Sequence, residues 1–415
     1  MRNLTNLPNL LLILATVSGC SHPELNPKPP TSESEILSDA VELTHGFLKA
    51  GEAYFSPDMK WIVFQAIVKP DEDFQMYVAQ LKWADGAITG THPPVRISPQ
   101  PSWNSCGHFS PDGESLIFSS TALKPKMVDA KGGFQREKGS YRWATPPGAE
   151  IFRADGWRGA VTAAPAGGSV DLAKHPLTDN AAYDAECSYS PDGKWIVYAS
   201  KLEEPAAPPA AAPGQEPTGG SLLRDAQARP ATTQATQSPN LELFAMRADG
   251  SKRVRLTFAA GYDGGPFFSP DGKRVCYRSD RKGNNLLQVY VADLVFDAAG
   301  DIVGLRNEKQ LTTETSPPGD PAKDAKPQPA INWTPYWHPD GRHLVWASSA
   351  QGHSNYEVYL MRDDGSRKTR VTFTPGFDGL PVFSPDGKWL MWTSGRGPEK
   401  TSQIWVARFR MPEGS

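Results

Sequence analysis

One pattern of apolar and polar residues recurs along the chain and predicts its strands. In the copy at residues 189–198, Ile196 and Tyr198 fall on one face of an extended segment and Trp195 and Val197 on the other. The Ser-Pro-Asp-Gly before this run is turn chemistry, because Pro presets the second turn position and Asp and Gly suit the next two. Each copy is therefore predicted to be a hairpin of two strands, A and B. Six such copies occur, at residues 55–64, 109–118, 189–198, 268–277, 337–346 and 383–392.

Two further extended segments follow each hairpin. Strand C, as at 241–251 and 356–366, ends in an Asp-Gly turn, and strand D, as at 253–257 and 369–373, is short and contains Leu-Thr or Val-Thr. Four antiparallel strands repeated six times predict an all-β fold, a six-bladed β-propeller.

The ends of the chain predict how the ring closes. The last repeat stops after strand C at 402–409, while an isolated strand D at 41–44 precedes the first hairpin. We expect this N-terminal strand to complete the last blade, which would leave no open sheet edge at the seam.

Three insertions separate the repeats. Residues 121–147 mix basic and aromatic side chains, residues 202–239 are rich in Ala, Pro and Gln and are predicted to be disordered, and residues 313–330 are rich in Pro, Lys and Asp. Strand direction places all three among the B–C and D–A loops, on what we call the D–A/B–C face. The Pro-Asp-Gly turns and C–D loops share the opposite face, here called the Pro-Asp-Gly face.

The N-terminus is predicted to be an export signal. Its apolar core at residues 10–17 is too short to span a bilayer. Residues 17–20, Val-Ser-Gly-Cys, resemble the bacterial lipoprotein lipobox, which implies cleavage before Cys20 and its lipidation; Ser21 fits sorting to the outer membrane. The alternative is a plain signal peptide with an incidental cysteine. The predicted organisation is a signal peptide at 1–19, a flexible linker at 20–39 and the propeller at 40–410.

Composition narrows the classes of partner. The chain has 43 basic and 46 acidic residues and a net charge of −3, so it lacks the excess of basic residues that would indicate binding to nucleic acid.

Of the cysteines other than Cys20, Cys276 lies in an apolar strand and is expected in the core. A disulfide between Cys106 and Cys187 stays open, because sequence cannot show the required approach of their backbones.

Two series of acidic and amide residues follow the repeat. The turn aspartates are assigned to structure, because each occupies the position that its turn favours: Asp58, Asp112, Asp192, Asp271, Asp340 and Asp386. A second series stands five residues before the strand-A aromatics, with two glutamates two positions further on, and is expected in the D–A loops at the channel mouth: Asn104, Asp184, Asp263, Asn332, Asp378, Glu52 and Glu186.

The second series has two interpretations. Asx side chains commonly cap loop backbone and need no ligand. Alternatively, a polar ring could hold a hard cation such as Ca²⁺, which takes six to eight oxygen ligands; otherwise no cofactor is expected. GxSxG, HExxH, Walker A and CxxC patterns are absent, and no spacing unites the eight histidines, so we expect no catalytic triad.

The repeats resemble the TolB-type propeller family, a WD40-like repeat with a Pro-Asp-Gly turn. The stretch 256–293 is a close match to one such repeat, and the resemblance covers about residues 40–410. It implies a periplasmic, partner-binding component of the cell envelope. We therefore expect a lipid-anchored module that docks a protein, peptide or glycan; the alternative is a metal-dependent hydrolase or lyase at the channel mouth.

The insertion at 121–147 is the predicted partner-contact element. It combines basic side chains with aromatic ones, the residue types enriched at interaction hot spots. A solvated loop without a partner is the simpler interpretation, since loops tolerate insertions freely. The candidate contact residues are Lys124, Lys126, Arg136, Tyr141, Arg142 and Trp143.

Overall fold

The computed structural model describes residues 30–70, 73–123, 133–137, 140–180, 182–201, 240–315 and 329–415, with the backbone alone for 133–137 and 140–144. Within these residues the strands form six antiparallel sheets, each with strands A, B, C and D in spatial order, and one separate two-stranded hairpin. The six-bladed β-propeller predicted from the repeats is confirmed.

The strands of the first three blades follow the predicted order. The chain starts with a 3-10 turn, Glu33–Glu35, and β1 (Leu37–Glu42), which belongs to blade 6. Blade 1 consists of β2 (Lys49–Phe55), β3 (Trp61–Ile67), β4 (Gln75–Ala84) and β6 (Val95–Arg96), and β5 (Ala87–Thr91) extends β4 into a longer hairpin. Blade 2 consists of β7 (Asn104–Phe109), β8 (Ser115–Ser120), β11 (Glu150–Asp155) and β12 (His175–Pro176), with the hairpin β9 (Gly133–Glu137) and β10 (Ser140–Ala144) between strands B and C and helix α1 (Trp157–Ala163) between strands C and D. Blade 3 consists of β13 (Tyr183–Tyr189), β14 (Trp195–Lys201), β15 (Glu242–Arg247) and β16 (Val254–Arg255).

The other three blades repeat this plan. Blade 4 consists of β17 (Asp263–Phe268), β18 (Arg274–Ser279), β19 (Gln288–Phe296) and β20 (Ile302–Gln310). Blade 5 consists of β21 (Asn332–Trp337), β22 (His343–Ser348), β23 (Glu357–Arg362) and β24 (Thr369–Arg370). Blade 6 consists of β25 (Asp378–Phe383), β26 (Trp389–Ser394), β27 (Gln403–Phe409) and the N-terminal strand β1.

The ring closes as predicted. Strand β1 pairs antiparallel with β27, with Leu37 opposite Phe409. The strand begins at Leu37 rather than at residue 40, and Glu33, four residues earlier, forms an ion pair with Arg396 of blade 6. Part of the stretch expected to be linker therefore packs on the propeller.

Apolar side chains on both faces of strand B pack each blade against its neighbours. Ile196 lies in a core cluster with Ile117 of blade 2, whereas Val197 lies in a separate cluster with Val275 of blade 4. Because successive strand residues point to opposite faces of a sheet, each blade packs against both neighbours.

The Ser-Pro-Asp-Gly turns close through their own side chains. In the first turn, the Ser56 hydroxyl donates to Asp58 Oδ1 at 2.6 Å, and the same oxygen accepts the Lys60 N–H at 3.2 Å. Five of the six described turns have this serine bond, and in the fifth turn His338 replaces the serine. These contacts support the structural role predicted for the turn aspartates.

Candidate binding face and central channel

The three insertions leave the propeller on the D–A/B–C face. The insertion after β8 joins strands B and C of blade 2, that after β14 joins strands B and C of blade 3, and that after β20 joins blades 4 and 5 as a D–A connection. Residues 202–239 and 316–328 lie outside the described residues.

The first insertion carries the predicted contact residues and forms a β-hairpin. Strand β9 pairs with β10, which places Tyr141 opposite Arg136 and Arg142 and Trp143 on the same return strand. Lys124 and Lys126 lie outside the described residues. Four of the six predicted contact residues are therefore brought together on one two-stranded element.

The same face exposes large apolar side chains. Phe258, in the D–A loop after β16, is 69% exposed, and its ring lies 4.7 Å from the Arg255 guanidinium. Leu48, Val68 and Leu123 lie in D–A or B–C loops and are 38%, 36% and 44% exposed. The other large apolar side chains exposed among the described residues, Trp83, Phe296 and Val303, lie on C–D hairpins.

The five Asx residues of the second series lie in strand A rather than in the D–A loops. Four are the first residue of their strand and Asp184 is the second, and all are at most 2% exposed. Two accept a bond from strand B: the Trp346 indole donates to Asn332 at 2.9 Å, and the Trp392 indole donates to Asp378 at 3.2 Å. None of these five residues lines the small cavity of the central channel.

A feature that the sequence analysis missed fixes strand C beside strand D. The first residue of every strand C is Glu or Gln. In blades 1, 3, 4, 5 and 6, the hydroxyl of the Thr or Ser that follows strand D donates to this side chain. In blade 3, for example, the Thr257 hydroxyl donates to Glu242 Oε2 at 2.6 Å and accepts the Leu243 N–H at 2.8 Å. The repeated Leu-Thr and Val-Thr pairs were the available signal for this contact.

The residues that line the central channel come from a bulge in each strand A. The pairing of strands A and B is irregular in every blade, and one residue there has a left-handed backbone with φ between 48° and 58°. Such a bulge redirects a side chain. All six bulge residues line one small cavity: Glu52, Cys106, Glu186, Gly265, Thr334 and Leu380. Glu52 and Glu186 are thus the two predicted mouth residues that do face the channel.

Arg278 fills the space beside Gly265, the one glycine among the six bulge residues. A Cβ added to Gly265 would lie 2.5 Å from Arg278 Nη1. The Arg278 Nη2 donates to Glu186 Oε2 at 3.1 Å and to the Tyr262 hydroxyl at 2.7 Å, and that hydroxyl lies 2.7 Å from the same carboxylate oxygen. The channel therefore contains a buried, paired charge.

Among the residues that the structure describes, no arginine forms an ion pair with Glu52. Burial raises the pKa of Glu52 to about 7, while hydrogen bonding with Cys106 and the positive charge of Arg278 act in the opposite direction. A carboxyl group in this range changes its charge near neutral pH.

Aromatic side chains fill the channel between the six bulge residues and the Pro-Asp-Gly face. Tyr54 lies 5.4 Å from His108 and 5.6 Å from Phe267, and Phe267 lies 5.0 Å from Tyr336, measured between ring centroids. Phe267 and Tyr336 line both the small cavity of about 20 Å³ above and a cavity of about 330 Å³ that opens between the prolines of the six turns. The upper cavity has room for about one water molecule.

The three cysteines among the described residues, Cys106, Cys187 and Cys276, are free thiols. Cys187 Sγ lies 3.5 Å from the carbonyl oxygen of Cys106, and the structure has no disulfide between them. Cys276 is fully buried in the core between blades 4 and 5, as predicted.

The described residues contain neither a metal-binding cluster nor a membrane-spanning helix. No group of three or more His, Cys, Asp or Glu side chains in them is arranged to hold a metal ion. None of their helices has the length and apolar character needed to cross a bilayer.

Comparison with known proteins gives similar folds at low identity. No family model and no curated protein matches the chain. A TolB from Acinetobacter baumannii is 15% identical over 89% of this chain and 66% of its own, with a TM-score of 0.45. A protein described as a TolB from Agrobacterium tumefaciens is 17% identical over 87% and 91%, with a TM-score of 0.44. An oligogalacturonate lyase in complex with manganese is 15% identical over 91% and 97%, with a TM-score of 0.41. At these values the likeness bears on no functional assignment, and the fold assignment rests on the strand pairing itself.

Proposed function

We propose that this chain is a binding module of the bacterial cell envelope, a lipid-anchored propeller that docks a protein, peptide or glycan on its D–A/B–C face. The observation that carries the proposal is the convergence of exposed apolar side chains and the β9–β10 hairpin on that face. Large exposed apolar side chains grouped on one face are typical of an interaction site.

The composition of the hairpin supports a contact role. Arg136 and Tyr141 are opposite each other, and Arg142 and Trp143 follow on the same strand. Tyr, Trp and Arg are enriched among residues that contribute most to binding. A hairpin also holds such residues in a fixed register, which lowers the entropy lost on binding.

The channel gives less support to the alternative of a metal-dependent hydrolase or lyase. The five Asx residues are engaged at the junctions between blades, and the cavity beside Glu52 and Glu186 is only about 20 Å³. A site for a small-molecule substrate usually has a volume of about 300–1,000 Å³, and the channel cavity of about 330 Å³ on the Pro-Asp-Gly face has no acidic residue in its lining. The exposed face therefore fits binding better than the channel fits catalysis.

The lipid anchor is proposed from the sequence of residues 17–20. Cys20 is separated by thirteen residues from Glu33, where contact with the propeller begins. That length spans at most about 45 Å, so the propeller could keep its D–A/B–C face accessible beside a membrane. Cys20→Ser should block processing or release the protein from membranes, as membrane fractionation would show; a variant that still fractionates with the outer membrane would contradict the anchor.

Matched loop replacements test the binding face. Residues 121–147 and, separately, residues 202–239 are replaced by a short Gly/Ser linker, and each protein is used for pull-down from a detergent-solubilised envelope. The proposal predicts that partner recovery is lost only with the first replacement, while thermal unfolding shows that both proteins fold. Equal recovery with both replacements would argue against the hairpin as the contact element.

A pair of point variants tests the face without changing the hairpin. Phe258→Ser removes the most exposed large apolar side chain of the D–A/B–C face, and Val303→Ser removes a 48% exposed side chain from a C–D hairpin. We expect at least a tenfold loss of affinity for the recovered partner with Phe258→Ser alone, since truncation of a hot-spot residue typically costs about 2 kcal/mol or more. Equal losses with both variants would contradict this placement.

A further inference from the structure

The β9–β10 hairpin of blade 2 is a sheet without a third strand. Strands β9 and β10 pair with each other, and no other strand among the described residues pairs with either of them. Each of the two strands therefore has one edge that no strand covers. An isolated two-stranded hairpin is only marginally stable in water, whereas a third strand gives a sheet independent stability. The hairpin is therefore suited to accept one more strand along an edge.

The base of the hairpin is held on the propeller. Strand β10 ends at Ala144, and Gly148, four residues later, donates its N–H to the carbonyl oxygen of Ala182 at 2.9 Å. Ala182 directly precedes strand A of blade 3, so this bond ties the return strand of the hairpin to the D–A loop of the neighbouring blade. The open edges therefore belong to an element whose base is fixed on the D–A/B–C face.

The register divides the hairpin into two faces. Phe134 is opposite Trp143, and Arg136 is opposite Tyr141. Residues opposite each other, and residues two apart along a strand, share a face of a sheet. Three aromatic positions and one arginine therefore make up one face, which we call the aromatic face of the hairpin. The other, here called the polar face of the hairpin, has the positions Gln135, Glu137, Ser140 and Arg142, followed by Gly133 and Ala144.

The insertion that contains the hairpin is strongly basic. Its six basic residues are Lys124, Lys126, Lys131, Arg136, Lys138 and Arg142. Residues 121–147 include only two acidic residues, Asp129 and Glu137, so the insertion has a net charge of +4, while the whole chain has a net charge of −3. Because opposite charges steer two proteins together and fix their register, this charge favours an acidic partner.

We propose that the β9–β10 hairpin binds an extended, acidic segment of a partner protein as a third strand, and that apolar residues alternate with Asp or Glu along this segment. An added strand gains affinity from backbone hydrogen bonds and specificity from alternate side chains. Its apolar residues extend the aromatic face of the hairpin, and its carboxylates extend the polar face, to which Arg142 belongs. This inference rests on the proposed binding function and names the chemistry of the partner.

Backbone pairing separates such a segment from other acidic partners. A glycan has no regular series of N–H and C=O groups that could pair with the edge of a strand. A peptide in which acidic and apolar residues do not alternate cannot place them on opposite faces of the sheet. The hairpin therefore recognises the alternation of the segment as well as its charge.

The experiment uses blocked, fluorescein-labelled octapeptides and the purified full-length protein in detergent. The main probe is (Glu-Val)4, its composition control has four Glu followed by four Val, and its charge control is (Lys-Val)4. An unlabelled alginate oligosaccharide, added as a competitor, represents acidic glycans. Fluorescence anisotropy should show binding of (Glu-Val)4, at least about tenfold weaker binding of both control peptides, and no displacement by alginate.

Two hairpin variants and one matched control locate the bound peptide. Phe134→Ser with Trp143→Ser changes the aromatic face, and Arg142→Glu reverses one charge on the polar face. Each variant should weaken the binding of (Glu-Val)4 at least about tenfold. Arg306→Glu makes the same charge reversal at an arginine whose side chain is 68% exposed on the C–D hairpin of blade 4, and it should leave the affinity unchanged. Thermal unfolding should be the same for all of these proteins, since the β9–β10 hairpin is not part of a blade sheet.

Equal affinity for (Glu-Val)4 and its composition control, or equal affinity of the wild-type protein and both hairpin variants, would overturn the proposal. Displacement by alginate would also overturn it, because the site would then accept a glycan. If replacement of residues 121–147 abolishes partner recovery while (Glu-Val)4 does not bind, this inference fails and the proposed function stands. If (Glu-Val)4 binds to the hairpin while that replacement leaves partner recovery unchanged, the strand site stands and the hairpin fails as the contact element of the proposed function.

Discussion

Arg278 of blade 4 and Glu186 of blade 3 form a buried ion pair beside the central channel, with Nη2 3.1 Å from Oε2. Their side chains are only 7% and 3% exposed. The Tyr262 hydroxyl bonds to both residues, so the three side chains form one network across the seam between the two blades. Breaking such a pair from one side leaves a buried charge without compensation.

Arg278→Leu should therefore destabilise the protein strongly. We expect a loss of about 3–5 kcal/mol in the free energy of unfolding, measured by urea denaturation, because Glu186 stays buried without its counter-ion. Adding Glu186→Leu should recover part of the loss, since blade 6 has Leu380 at the same bulge position. Additive effects of the two substitutions would contradict this coupling.

Gly265→Ala should destabilise the protein more than Gly283→Ala. Both glycines have a positive φ, 57° and 70°, so both substitutions carry a similar backbone cost. A Cβ at Gly265 would lie 2.5 Å from Arg278 Nη1, whereas nothing lies within 4 Å of one at Gly283. We expect a difference of at least about 1 kcal/mol in urea denaturation, since the arginine must leave its hydrogen bonds. Equal effects would show that Arg278 moves without cost.

Glu52→Gln should change the pH dependence of stability. The pKa of Glu52 is raised to about 7 in the folded protein, against about 4.3 for an unfolded chain, so the folded state binds this proton more tightly. Its contribution to stability is complete below about pH 4.3 and is lost as the pH rises to about 7. The variant lacks this loss, so it should gain on the order of 1–3 kcal/mol relative to the wild-type protein between pH 5 and pH 8. Parallel urea stability profiles for the two proteins would contradict the raised pKa.

Deleting residues 21–45 should open the ring. The deletion removes β1, exposes the edge of β27 and removes Ile36, Leu37 and Leu43, which are at most 5% exposed. We expect a loss of several kcal/mol, seen as a lower Tm, because the last blade loses a strand and buried apolar area. The matched control, deletion of residues 21–29, ends before the described strand and should leave Tm unchanged. A similar Tm for both deletions would argue that the closure contributes little.

Local sequence signals were sufficient to predict the blades and the way the ring closes. Ser-Pro-Asp-Gly places a turn through local dihedral preferences, and alternation with a period of two marks the strands beside it, as in the stretch from Trp195 to Tyr198. Both signals depend on residues close together in the chain. The sequence has a strand D before the first hairpin, and the last repeat has no strand D of its own. The N-terminal strand was therefore predicted to pair with the last blade, as it does.

The residues that face the channel could be identified only from the folded arrangement of the blades. The bulge in each strand A shifts the alternation by one position, so Glu52, Glu186 and Thr334 line the channel while Asp184 and its equivalents lie between blades. The six bulge positions hold five different residue types, and at Gly265 the space is filled by Arg278 from the neighbouring strand. The reason is physical: the direction of a side chain at a bulge depends on pairing with a distant strand, and that pairing forms only when the blades assemble.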